Sequence, residues 1–196
     1  MLRFFFGIIF CIVAFSAVAS FQPVYGQADY KRFYDEDKLP KVREIFQLGR
    51  YDIVLQICDY ALRRGQPSWE WRSLRMNSLA ALGSYEEAVE EASAIAKAFP
   101  TELGALLEVH DLFKRTGKRK ELESVLDQLN VAAGKIPKND RNGLDLVRLG
   151  KAALILGADP SEVIQNYFVP AKANKAKGKS IVGTSFIWKS RCVNYG

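Results

Sequence analysis

Apolar side chains recur every three to four residues through most of this chain, and the runs come in pairs joined by a glycine. Residues 37–48 predict a first helix. Leu39, Val42, Ile45 and Phe46 share one face of it, and Pro40 falls in the first turn, where its missing N–H costs nothing. After the turn Gly49-Arg50-Tyr51 a second helix is predicted over residues 52–64. Its broad stripe is Ile53, Val54, Ile57, Cys58, Ala61 and Leu62. Arg63 and Arg64 lie at its negative end, and Gly65 stops it. The same arrangement returns over residues 68–82, where Ser68 is the expected cap, then the turn Gly83-Ser84-Tyr85. The following helix carries Ala88, Val89, Ala92, Ile95, Ala96 and Phe99, and Pro100 follows it. Ser84 and Glu87 have the spacing of a reciprocal cap. A third pair covers residues 101–116 and, past Gly117, runs to 133, with Gly134 as the expected C-cap.

Residues 135–142 read as a polar linker that breaks the phase. A fourth pair follows, residues 144–156, then Gly157, then a helix opened by Asp159-Pro160-Ser161-Glu162. An acceptor at the N-cap, proline at the first helical position and glutamate two residues on make that a start signal, and Val169-Pro170 is the expected end. From Ala171 the chain turns lysine-rich, and residues 181–196 hold β-type residues without a helical period. The tail 171–196 is therefore expected to be poorly structured.

Gly49, Gly83 and Gly117 stand 34 residues apart, each between two amphipathic helices. That is the period of a helix–turn–helix solenoid. Gly83-x-Tyr85-x-x-Ala88 with Pro100, Gly49-x-Tyr51-x-x-Val54 with Ala61 and Pro67, and the glycine of Gly117-x-Arg119-x-x-Leu122 resemble the tetratricopeptide repeat (TPR) family. Trp71-x-x-Leu74 is similar to the family's opening tryptophan–leucine pair, one residue out of phase with Gly83. The resemblance implies an all-α TPR-like solenoid of about three to four hairpins, with repeats near 35–66, 67–100, 101–134 and 143–170. It also implies a binding role, with ligands taken on the concave face formed by the first helices.

Residues 1–28 read as a targeting segment, not as part of the fold. Arg3 precedes an uncharged run from Phe4 to Ala19. Cleavage is expected after Ala28, with Ala17-Val18-Ala19 as the alternative site. The domain then spans 29–170, and export to the periplasm or the medium follows. The formal charge is +6 but uneven. Residues 29–110 carry 11 Lys and Arg against 14 Asp and Glu, whereas residues 111–196 carry 16 against 8. A basic tail could meet an anionic surface. Export argues against nucleic acid, and membrane association is expected only through an uncleaved leader or the tail. Cys58 falls on an apolar helix position as a small hydrophobe, and a Cys58–Cys192 pair is compatible with an oxidising compartment.

Chemistry is sparse. The single histidine, His110, cannot supply a two-histidine zinc site, and no nucleophile elbow, phosphate loop or dinucleotide fingerprint occurs. The expectation is a non-enzymatic protein without cofactor or metal. Trp69, Trp71, Tyr85 and Phe99 stand at core-like spacings, and Glu86, Glu87, Glu90 and Glu91 form a stripe expected to be solvated. Counting back from each turn glycine, the resemblance places Arg43, Asn77, Asp111 and Lys151 at equivalent groove positions, with Arg115 one turn beyond Asp111. Asparagine and basic residues there would hold a peptide backbone or carboxylate by charge-assisted bonds, which Asp111 would oppose. The expected function is an exported scaffold that captures a protein or peptide partner. The alternative is the non-catalytic front of an exported TPR-containing zinc peptidase-like protein, whose layout this chain resembles.

Overall fold

The computed structural model describes residues 38–66, 68–137 and 141–176. The expected leader, Pro67, Cys192 and the end of the tail lie outside the described residues. Within them the chain is all-helical, with no strand. In chain order the helices are α1 (Leu39–Gln47), α2 (Tyr51–Arg63), α3 (Trp69–Ala81), α4 (Tyr85–Ala98), α5 (Leu103–Thr116), α6 (Arg119–Lys135) and α7 (Gly143–Ile155). The last rod consists of α8 (Pro160–Val163), a π-helical turn (Ile164–Phe168) and α9 (Val169–Ala176). No described helix is long and apolar enough to cross a membrane.

The turn glycines explain why the hairpins repeat. Gly49 has φ of 77° and Gly83 of 88°, a region closed to most side chains. Each ends its helix with the same pair of bonds. Gly49 N donates to Phe46 O and Arg50 N to Ile45 O, while Gly83 N donates to Ala80 O and Ser84 N to Leu79 O. The next residue, Ser84, adopts φ of −77° and ψ of 66°, and Tyr85 N closes a three-residue turn on Gly83 O at 2.9 Å. Gly117, Lys118 and Arg119 form the same closure.

That geometry corrects the reciprocal cap expected at Ser84 and Glu87. Ser84 makes no side-chain cap bond. Its backbone N–H, which Glu87 would have accepted from, is already spent on the end of α3. Ser68 does not cap α3 by its side chain either. The reciprocal cap forms instead at the start of α7. There Asn142 Oδ1 accepts from Leu144 N at 2.8 Å and Asp145 N at 2.9 Å, and Asp145 accepts from Asn142 N. Gly134 is not a C-cap. Helix α6 continues to Lys135 and stops because Ile136, which precedes Pro137, is pushed to an extended conformation.

The stripe residues of α2 and α4 form the core as expected. One cluster gathers Val42, Val54, Ile57, Cys58, Ala61, Trp71 and Leu74 between α1, α2 and α3. The larger one runs from Met76 through α4, α5 and α6 to Ala152. Cys58 is wholly enclosed, and burial, then the neighbouring Asp59 carboxylate, push its thiol pKa upward, so it behaves as a small hydrophobe. Odd-numbered helices pack directly on one another, α1 on α3, α3 on α5 and α5 on α7. The even-numbered helices α2, α4 and α6 have no comparable packing among themselves. First helices therefore form the tighter layer.

The fourth unit departs from the sequence reading at its end. Asp159 caps as expected, accepting from Ser161 N and Glu162 N. Pro170 does not end the rod. Ahead of it Val169 N reaches back five residues to Ile164 O, and this wider turn carries the chain past a residue that has no N–H. The helix then runs to Ala176, so the expected boundary at 170 falls inside α9. The π turn seats Phe168 against Gly150 of α7, where an added Cβ would lie 2.5 Å from the ring. Gly150→Ala should thus loosen the docked rod. Overpacking of this kind costs about 1–3 kcal/mol, partly offset by alanine's better helix propensity. Urea denaturation checks it, and an unchanged midpoint would contradict the close approach.

Candidate functional site

The C-terminal halves of the first helices leave an open cleft of about 620 Å³. Its walls come from α1, α3 and α5 and from the starts of α2 and α4. Ala80 and Ala81, in the last turn of α3, keep the centre of the cleft shallow. Phe46 and Tyr51 stand on one side as an edge-to-face pair, with ring centroids 4.9 Å apart and planes at 63°. Tyr85 stands across from α3 at the first position of α4, with 54% of its surface exposed.

Tyr51 and Tyr85 are equivalent residues. Each follows its turn glycine by two positions, so the repeated turn delivers both rings to one cleft. This corrects the expectation that Tyr85 is a core residue. Of the aromatics placed in the core, Trp71 is fully buried, and Trp69 and Phe99 are half-buried against it or its neighbours.

The polar side comes from α5. Glu108, Asp111 and Arg115 follow one another at spacings of three and four, so they line a single helix face. Asn77 of α3 donates from Nδ2 to Glu108 Oε2 at 3.1 Å, tying the two walls together. Arg115 Nε donates to the Asp111 carbonyl at 3.3 Å, one turn back on its own helix. Asp111 Oδ1 lies 3.4 Å from Nδ1 of the buried His110.

Three of the five residues singled out from the sequence, Asn77, Asp111 and Arg115, meet in this cleft. Arg43 sits on α1 one turn before Phe46 and does not line it, and Lys151 belongs to α7, which takes no part in it. Sequence reasoning missed Phe46, Tyr51, Tyr85 and Glu108. The two tyrosines did carry a signal, their shared offset from Gly49 and Gly83, which served there only to mark the fold.

At the opposite end of the same helices the groove is filled. Trp69 of α3 lies across Gly104 of α5, where an added Cβ would be 2.8 Å from the indole. Arg148 of α7 covers the Trp69 ring at 5.3 Å and pairs with Glu102 at 3.7 Å.

On the other face of α3 the acidic stripe of α4 is not wholly solvated. The Glu91 side chain is only 13% exposed, and its Oε2 accepts from Arg75 Nη1 at 2.8 Å. Arg75 Nε donates to Asp59 Oδ1 of α2 at 2.7 Å, so one guanidinium joins three successive helices. Arg72 adds a second contact to Glu91 at 3.4 Å.

Among the described residues no group of three or more His, Cys, Asp or Glu is placed to hold a metal ion. Comparison with family models, with curated proteins and with solved structures returns no match for this chain.

Proposed function

We propose that this protein is an exported, non-enzymatic scaffold of the TPR type, which holds a segment of a partner protein in the cleft between α1, α3 and α5. The observation that carries the reading is the pair Tyr51 and Tyr85. Two successive hairpins present the same ring to one open cleft, on the layer where first helices pack most closely. A solvent-exposed ring beside small residues and a few polar groups suits an extended chain. Glu108, Asp111 and Arg115 are spaced to read side chains along it. The leader and export from the cytoplasm belong to the same proposal, and they put the partner in the cell envelope or outside the cell.

Affinity capture from an envelope extract tests it, with the wild-type chain beside an Ala81→Gln/Tyr85→Ala variant. Both positions are exposed, so the variant should keep its helical circular dichroism and melting behaviour. Loss of the captured proteins by the variant is the expected result. Equal capture by both chains would remove the cleft from the function.

A further inference from the structure

We infer that the cleft takes a cationic side chain, a lysine or arginine of an extended partner segment, and not a carboxylate. The inference rests on the peptide-groove reading above and names what that groove selects.

The donors that could hold a carboxylate are engaged. The Asn77 amide already gives a hydrogen bond to Glu108 Oε2 at 3.1 Å, and Arg115 Nε gives one to the backbone of its own helix. An incoming carboxylate would have to displace Glu108 and then sit beside two like charges, Glu108 and Asp111, with the Arg115 guanidinium as the only cation on the wall.

Acceptors and ring faces point the other way. The Asp111 side chain is about half exposed at 52%, and it lies one turn from Glu108 on the same face of α5. Opposite them stand Tyr85, exposed, and the Phe46–Tyr51 pair. Carboxylates on one wall and aromatic rings on the other form a site in which a cation gains a charge-assisted hydrogen bond and a ring face together. The guanidinium of Arg148 over Trp69, paired with Glu102, is the same arrangement made internally at the far end of the groove. The imbalance of two carboxylates to one guanidinium contrasts with the positive charge of the chain as a whole.

Fluorescence anisotropy with the purified full chain tests this. The probes are three labelled nine-residue peptides on one glycine–serine–tyrosine frame. One carries two arginines and an amidated end, one carries two glutamates and a free carboxylate, and one is uncharged. The arginine peptide should bind about tenfold or more tightly than the glutamate peptide, and its affinity should fall as salt rises. Glu108→Gln/Asp111→Asn keeps size and shape, and it should weaken arginine-peptide binding about tenfold while leaving the uncharged peptide unaffected. Glu86→Gln/Glu90→Gln, on the exposed stripe of α4, should change nothing.

Preference for the glutamate peptide would overturn the inference and leave the groove reading standing. Binding that tracks the α4 stripe would overturn it too, by moving the cation off the cleft. A synthetic peptide of residues 177–196, which holds four basic and no acidic residues, is the competitor from the chain itself. If it outcompetes the arginine peptide, the occupant is the protein's own tail and a partner segment is excluded. If no peptide binds, both the inference and the groove reading fall.

Discussion

Trp71→Ala should release the first hairpin from the array while the rest stays folded. Trp71 is fully buried and is the largest member of the cluster that joins α1 and α2 to α3. Truncating a buried tryptophan costs about 3–5 kcal/mol. Its indole N–H has no hydrogen-bond partner among the described residues, which sets the loss toward the lower end, about 3 kcal/mol. The larger cluster begins at Met76 and does not include Trp71, so the damage is confined to one end. Hydrogen exchange should show protection lost through α1 and α2 and kept in α4, α5 and α6. Uniform loss along the chain would mean that the two clusters act as one core. The release also removes Phe46 and Tyr51 from the cleft, so peptide binding should fall with it.

Arg75→Ala should be the second most damaging change. The side chain is 27% exposed and bridges Asp59 on α2 to Glu91 on α4. Removing it leaves two partly desolvated carboxylates without their shared cation, and an uncompensated charge of this kind costs about 2–3 kcal/mol. Arg75→Lys should recover only part of the loss, because an ammonium lacks the planar fork that reaches both partners at once. Adding Glu91→Gln to Arg75→Ala should restore some stability by removing one of the stranded charges. Urea midpoints for the four proteins settle it. An Arg75→Ala midpoint equal to wild type would show that the bridge contributes nothing.

The helical array was legible because its determinants are local. A glycine forced to positive φ at Gly49, Gly83 and Gly117, and an apolar stripe on either side, are written within a dozen residues. Asp159-Pro160 announces a start for the same reason. The misreadings come from competition and distance. Ser84 has the right spacing for a cap, but its N–H is claimed by the helix before it. Pro170 has the right chemistry for a stop, but one wider turn accommodates it. Glu91 reads as surface until Arg75, 16 residues earlier in the sequence, is seen beneath it. The cleft was half legible. Asn77, Asp111 and Arg115 follow from counting, whereas the Asn77–Glu108 bond spans 31 positions and depends on how α5 settles against α3.

The packing order has a consequence for how the chain acquires its shape. Each helix packs on its neighbour in sequence or on the next but one, and no prominent contact reaches further. Closing such short loops is entropically cheap, so folding is expected to be fast and to advance hairpin by hairpin. A chain built this way can begin to fold on whichever portion emerges first from a ribosome or a translocation channel. The cleft, by contrast, needs three hairpins in place. Secondary structure should therefore appear well before the capacity to bind.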